Sequence, residues 1–507
     1  MATTFYIEQF GCRATQADAA AIERQLLDRG CTPGRDSDAA DVVVVNTCTV
    51  TAAADAQARD AIRKIHASNP NAKIIATGCY AQRAPEDLAT LSGVTWVVGN
   101  SHKPQIASLI ATQAAEAAPQ LDFVPAAALF SPSPNPASVV VAQHAAPERS
   151  EISSAWASPV GAGLAPPSMR LSKILHSDIF DHTEFLSTPV QGGESDHTRP
   201  TLKIQDGCNL RCTYCVIPFV RGKSRSLPPD DVIAEIRRLS ESHSREVVLS
   251  GINLGTYGRD LRPRADFLTL LRRILAETEI ERLRLSSIEP QDVTQDLIDL
   301  FAETNRLADH FHMPLQSGSD KILAAMHRWY RADHYARRVE LIRDRLPHAA
   351  IGADVIAGFP GETEADHAAT LAFIERLPFT YLHVFSYSQR PGTKAAALPD
   401  QVPTQIIKRR ARELRALSEK KSAAFRHSQL GRTLRVLSLR AKPKPKNLED
   451  SRAAQSTPAI SNNYVRVQLP GIHAPNIFRD VQITRAEGMK LIADVTIPWR
   501  RDRATKK

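Results

Sequence analysis

Three of the seven cysteines in this 507-residue chain fall close together, as Cys208-Asn-Leu-Arg-Cys212-Thr-Tyr-Cys215. Thiolates hold iron–sulfur clusters, and a cube of four irons has four irons to ligate. Three close cysteines leave one iron open, and an open iron on a reducing cluster can bind and cleave a small molecule. A disulfide knot and a zinc site compete for the same residues. Structural zinc takes four protein ligands, and no fourth Cys or His stands near this run. The C-x3-C-x2-C spacing therefore reads as a three-cysteine cluster site directly after a strand.

A second set is dispersed. Phe10-Gly11-Cys12, Asn46-Thr47-Cys48 and Thr77-Gly78-Cys79 each put a cysteine just past an apolar run that reads as a strand. In a parallel sheet the carboxyl ends of strands share one edge, where ligands bind. Three sulfurs far apart in sequence thus converge, which predicts a second three-cysteine cluster. For any one of them alone, a small buried hydrophobe is the competing reading. Cys31 follows the first helix, off that edge, and is expected to be structural.

The elements that must position these residues divide the chain into four. Residues 1–118 alternate strands (5–10, 41–46, 73–77, 96–98) with helices (17–29, 52–68, 85–91, 103–117), a small parallel α/β domain. Residues 119–198 are rich in Ala, Pro and Ser and read as a linker or insertion, although 171–185 carries enough apolar residues to dock. Residues 199–428 hold six strand–helix units, with strands at 201–205, 246–250, 282–287, 310–315, 350–356 and 381–386. Six units suit an open, partial (β/α)6 barrel with its site at the strands' carboxyl ends. A basic helix over 404–427, with Lys408, Arg409, Arg410 and Arg412, closes that region. Strand signals at 433–439, 463–469, 480–485 and 491–497 then predict a small β-barrel over 429–500, interrupted by a polar loop from Lys442-Pro-Lys-Pro-Lys446. The fold class is α/β with a C-terminal β-barrel.

Hydrophobic residues make up 43% of the chain, enough for a sizeable core. No secretory segment follows Met1 and no apolar run is long enough to span a bilayer, so a cytoplasmic protein with no membrane partner is expected. An odd cysteine count in a long chain argues against a disulfide scaffold. Net charge is +9, but residues 401–507 carry 24 Lys+Arg against 8 Asp+Glu, a net +16 that leaves −7 elsewhere. Segregated basic charge favours a polyanion partner; a basic tail at 500–507 is the plainer alternative.

Beyond the cysteine runs, the strings Phe10-Gly-Cys-Arg13, Asn46-Thr-Cys-Thr-Val-Thr51, Thr77-Gly-Cys-Tyr-Ala-Gln82, Leu285-Ser-Ser-Ile-Glu-Pro290, His312-Met-Pro-Leu-Gln-Ser-Gly-Ser319 and Gly358-Phe-Pro-Gly-Glu362 stand out. Together they resemble the methylthiotransferases of the radical S-adenosylmethionine (SAM) superfamily. The resemblance implies two [4Fe-4S] clusters. The one on Cys208, Cys212 and Cys215 binds SAM at its open iron and yields a deoxyadenosyl radical. The one on Cys12, Cys48 and Cys79 carries the sulfur, which a first SAM methylates. The radical removes hydrogen from an unactivated carbon and the methylthio group takes its place. No catalytic side chain beyond the cluster ligands is implied. The last domain looks like an RNA-binding TRAM domain.

The resemblance, for Tyr214, and positions after the second, third and fifth barrel strands, for the others, point to cofactor contacts that other roles would also explain. Tyr214 approaches the adenine of SAM, or simply packs. Gly251 and Asn253 come close to the methionine moiety. Glu289 touches SAM or caps a helix. Gly358, in the run to Glu362, admits the adenine or only turns the chain. His312, before a proline on a strand, reads as an ordinary core histidine rather than a proton donor. The implied partners are a tRNA anticodon stem-loop and an electron donor such as a flavodoxin or ferredoxin, with the enzyme a monomer. Phe10-Gly-Cys-Arg13 and the Thr51-Ala52 pair resemble the group that adds the methylthio group to carbon 2 of threonylcarbamoyl-adenosine at position 37. An isopentenyl-adenosine tRNA or an aspartate of a ribosomal protein are the alternative substrates, and a redox-sensing RNA-binding module is the non-enzymatic reading.

Overall fold

The computed structural model describes residues 2–115, 173–183, 185–186, 198–440 and 456–497. The N-terminal region runs β1 (Thr4–Gln9), α1 (Arg13–Leu27), β2 (Thr32–Pro33), β3 (Val42–Thr47), α2 (Ala52–Ser68), β4 (Lys73–Gly78), α3 (Cys79–Arg83), α4 (Pro85–Ala89), β5 (Val94–Gly99), α5 (Ile106–Ala115) and β6 (Lys173–Leu175). The six strands form one parallel sheet in the order β2-β1-β3-β4-β5-β6. β3 is buried along its whole length. Its consecutive valines are what a strand covered on both faces requires. Val43 and Val45 face a core with Ile62 and Tyr80, while Val42 and Val44 face another with Ile22 and Ile106. The Thr51 hydroxyl accepts from Ala54 N and starts α2.

β6 lies in the stretch read as linker. Its pairing to β5 makes 173–175 an edge strand of the N-terminal sheet, and Ile179 beyond it is buried. The apolar content of 171–185 is thereby accounted for; residues 116–172 lie outside the described residues.

The central region contains β7 (Thr201–Lys203), β8 (Gln205–Asp206), α6 (Ile217–Arg221), β9 (Arg225–Ser226), α7 (Pro229–Glu241), β10 (Glu246–Ser250), α8 (Phe267–Glu277), β11 (Arg282–Leu285), α9 (Gln295–Glu303), β12 (His310–His312), α10 (Asp320–Ala325), α11 (Ala332–Arg345), β13 (Ala350–Ala357), α12 (Glu364–Arg376), β14 (Tyr381–Ser386) and α13 (Thr404–His427). Strands β7, β10 and β11 are parallel neighbours, as are β12, β13 and β14. Parallel bridges Leu283↔Leu307 and Ser287↔His312 join the halves into an open six-strand barrel around one core. The strand expected at 201–205 divides: Gln205 and Asp206 leave the barrel to pair antiparallel with Ser226 and Arg225. Gly207, at φ 70°, then turns the chain into the cysteine loop.

The last region is a closed five-strand barrel of β15 (Thr433–Ser438), β16 (Ser456–Ser461), β17 (Arg466–Pro470), β18 (Phe478–Glu487) and β19 (Lys490–Ile497), in the order β15-β16-β17-β19-β18. The sequence pattern marks four of these. Ser-Thr-Pro-Ala-Ile-Ser in β16 escapes because a proline and small polar residues argue against a strand. The Lys442–Lys446 loop lies outside the described residues.

Buried ion networks join the regions. Asp18 on α1 pairs with Lys103 (2.8 Å), Lys203 (2.6 Å) and Arg221 (2.8 Å), and the last two also pair with Asp206. Asp55 pairs with Arg83 and with Arg390, which follows β14. Glu246 holds Arg282 and Arg284, and Arg284 also donates to the carbonyls of Ser461 and Asn462 in the last barrel. No described helix is long and apolar enough to cross a membrane.

Candidate functional site

Strands β1, β3 and β4 are immediate neighbours, about 4.8 Å apart in such a sheet. Their register aligns Gln9 with Asn46, Asn46 with Thr77 and Thr47 with Gly78. Cys48 and Cys79 follow their strands by one residue. Cys12 follows after the turn at Gly11, where φ is 103°. A Cβ at Gly11 would stand 2.6 Å from Cys48 Cβ and 2.9 Å from its Sγ, so the two segments touch. The three sulfurs thus share one sheet edge. Cys12 is exposed; Cys48 and Cys79 are buried. Burial, reinforced by the neighbouring Cys79 thiol, pushes Cys48 up to about 12. Asn100 Nδ2 donates to Cys79 Sγ (3.6 Å) and to the Val220 carbonyl (2.7 Å), tying this edge to α6. Cys31 lies in the core on a different side, among Phe5, Ile22 and Leu26.

The second triad occupies the loop between β8 and α6. Cys208 N donates to the Gly222 carbonyl and Cys215 N to the Cys212 carbonyl. Thr213 is clamped to the end of α10 through Met326 O and Ala325 O, and His327 Nδ1 lies 3.0 Å from the Arg211 carbonyl. Arg328 Nη1 donates to Cys212 Sγ (3.2 Å), and its other nitrogen pairs with Glu289. Burial first, then the Cys212 thiol, raises Cys215 to about 12; Cys208 is raised by burial as well.

Among the described residues, His312, Asp354 and His383 bring three donor atoms within 4.8 Å of one another.

The other residues singled out by sequence sit as follows. Tyr214 meets Phe359 edge-on at 6.5 Å between ring centroids. Asn253 is buried, its N donates to Gln205 Oε1 (2.7 Å), and its carboxamide has no hydrogen-bond partner besides the Cys208 thiol that it faces. A buried amide with so few partners fits a ligand with polar groups. A Cβ on Gly251 would stand 2.9 Å from Gln205 Oε1. Glu289 makes no capping bond at Pro290–Asp292; its carboxylate goes to Arg328 instead. At Gly358, φ is 79° and a side chain would strike Ile407 of α13, so packing on that helix accounts for the glycine. His312 is buried, but as part of a polar set: it lies 3.0 Å from both Asp354 Oδ1 and the Tyr381 hydroxyl. The ordinary core role read from sequence overlooks these partners. Asp354, alone among apolar neighbours in β13, was the signal available; Arg328 offered none.

Residues 202–374 match the Radical SAM superfamily, and residues 4–99 match Uncharacterized protein family UPF0004. The chain is 34% identical over 434 residues to the threonylcarbamoyladenosine tRNA methylthiotransferase MtaB of Aquifex aeolicus, covering 85% of this chain and 91% of the relative. Identity to the Bacillus subtilis protein of the same name is 30% over 472 residues, 93% and 91% of the two chains. The tRNA-2-methylthio-N(6)-dimethylallyladenosine synthase of Paenarthrobacter aurescens is 32% identical over 503 residues, 97% of this chain and 85% of the relative. Among solved structures, the radical SAM methyltransferase TsrM of Kitasatospora setae superposes with a TM-score of 0.52 at 15% identity, over 78% of this chain and 75% of that one, a likeness of fold.

Proposed function

Since the chain belongs to the radical SAM tRNA methylthiotransferases, we propose that it adds a methylthio group to carbon 2 of threonylcarbamoyl-adenosine at position 37 of a tRNA anticodon stem-loop. The observation that carries this reading is the pair of cysteine triads, one on the N-terminal sheet edge and one on the barrel loop, in domains locked together through Asp18. Cys208, Cys212 and Cys215 would hold one [4Fe-4S] cluster and Cys12, Cys48 and Cys79 the other. When bound, the two clusters and SAM supply the radical and the sulfur. The chain supplies the setting. Arg328 places a cation between Cys212 and Glu289. Tyr214 and Phe359 form an apolar wall against water. The Asn253 carboxamide, beside Cys208, presents polar atoms to SAM, and Gly251, Glu289 and Gly358 border the same strand ends. Rigid placement of both sulfur sets around one carbon is the proximity the reaction needs.

We divide the chain into an N-terminal domain over 1–118 that takes 173–175 as its edge strand, a radical SAM core over 199–428 and a last barrel over 429–500 that serves as the TRAM-like RNA-binding unit. Lys408, Arg412 and Arg415 line a 440 Å³ groove that ends at Ser386 of β14. Beside it, Arg426, Arg466, Tyr381 and Tyr464 line a 450 Å³ cavity between α13 and the last barrel. This basic track leads the phosphate backbone to the barrel. A flavodoxin- or ferredoxin-class protein supplies the electron.

Anaerobic reconstitution with nucleoside mass spectrometry tests the reading. About eight irons per chain are expected. Cys212→Ala should abolish deoxyadenosine release; Cys48→Ala should keep that release and lose the methylthio nucleoside. About four irons in the intact chain, unchanged by Cys48→Ala, would overturn the two-cluster assignment. Product only on isopentenyl-adenosine would move the substrate.

A further inference from the structure

Strands β12, β13 and β14 bring together polar side chains that neither triad uses. His310 Nε2 lies 2.7 Å from the Tyr381 hydroxyl, His312 bridges Tyr381 and Asp354, and His383 Nδ1 lies 3.3 Å from Asp354 Oδ1. Tyr464 of the last barrel packs tilted against His310, with ring centroids 4.4 Å apart. Into this set reaches Arg13, the residue directly after Cys12, whose Nη2 donates to the Tyr464 hydroxyl (3.4 Å). Arg13 therefore joins the N-terminal sheet edge, where its backbone sits, to Tyr464 of the last barrel, whose ring in turn packs by His310 and Tyr381 of the barrel strands.

Arg13 is half-buried and has no carboxylate partner among the described residues. The other cations at these junctions, Lys103, Lys203, Arg221, Arg282, Arg284 and Arg390, all do. A partly desolvated guanidinium seated on a tyrosine that itself packs against a histidine is a site for an anion, and its planar fork matches a carboxylate. The two substrates named among the relatives differ on this point. A threonylcarbamoyl group ends in a carboxylate and carries a hydroxyl; a dimethylallyl group is hydrocarbon.

We propose that Arg13, seated on Tyr464, binds the carboxylate of the adenine's N6 substituent and thereby selects the threonylcarbamoyl base. The inference rests on the substrate reading above. Carbon 2 and the carbon bearing N6 belong to one six-membered ring. Anchoring the substituent one residue from Cys12 therefore holds carbon 2 beside the sulfur-bearing edge.

The test uses the full cluster-loaded chain and three anticodon stem-loop RNAs, bearing threonylcarbamoyl-adenosine, its carboxylate methyl ester, or dimethylallyl-adenosine. Equilibrium binding and kcat/KM are measured for the native protein, Arg13→Gln, Arg13→Lys and Tyr464→Phe. The native protein should prefer the free acid to the ester by roughly ten- to a hundredfold, the span of a hydrogen-bonded charge pair. Arg13→Gln should bring the two RNAs to equal affinity, Arg13→Lys should keep part of the preference, and Tyr464→Phe, which touches no cysteine, should reduce it. Native turnover of threonylcarbamoyl RNA with the acid preference intact in Arg13→Gln, or with acid and ester weakened equally, would overturn the Arg13 assignment alone. Native turnover of the dimethylallyl RNA and none of the threonylcarbamoyl RNA would overturn the substrate reading and this proposal together.

Discussion

A methyl group at Gly11 would collide with Cys48, on backbone at φ 103° that side chains avoid. Gly11→Ala is therefore expected to displace Cys48 although no thiol is removed. Iron content should fall from about eight to about four per chain, with deoxyadenosine release retained and methylthio product lost. Iron analysis on the purified variant decides it, and about eight irons would show that this edge can yield. Cysteine spacing is a local property and could be read directly. The partners of those cysteines could not: Arg328 stands 116 positions from Cys212 and is brought to it by the packing of α10. His312 likewise shows its role only beside Asp354 and Tyr381, which come from other strands.

Helix α13 separates two kinds of basic residue that the sequence presents as one run. Its inner face buries Ile407, Arg410, Ala411 and Leu414. Arg410 is spent on Glu362 and Glu364, and Arg409 pairs with Glu364. Lys408, Arg412 and Arg415, spaced to share one stripe, face the open groove together with the single carboxylate of Glu419. Reversing those three to Glu should weaken tRNA binding and lower the slope of log K against log salt by about one for each phosphate that the helix no longer neutralises. Filter binding across a salt series would show an unchanged slope if the RNA runs elsewhere. Arg410→Ala should instead destabilise the fold, because it strands buried Glu362, at a typical cost of about 3–5 kcal/mol.

Across the whole molecule, the relative placement of the triads depends on Asp18. Burial alone would raise its carboxyl, but Lys103, Lys203 and Arg221 outweigh that and hold it well below the usual 3.8. A depressed carboxyl stabilises the docked state fully above its unfolded pKa. That contribution is lost as pH falls through the folded value, so acid should loosen the N-terminal sheet from the barrel. Asp18→Asn should do the same at neutral pH, at about 3–5 kcal/mol for breaking a buried pair. Hydrogen exchange around Asn100 and Val220, whose side chain and carbonyl bond across the junction at 2.7 Å, should rise. Methylthio transfer should fall more than deoxyadenosine release, and equal losses would argue against a docking role.

Taken by itself, the sequence determined which residues have the valence for the chemistry and which segments alternate as strand and helix, because thiol spacing, apolar periodicity and β-branched runs act over a few residues. It also located the four-valine strand and, within a few residues, the helices at 52–68, 267–277 and 404–427. Only the tertiary structure decided that β1, β3 and β4 are neighbours, that 173–175 completes their sheet, and that Arg13 meets Tyr464 across 451 positions. Those are long-range pairings, chosen by which faces can be buried together and which buried charges must find a partner, and no short window of residues holds that information.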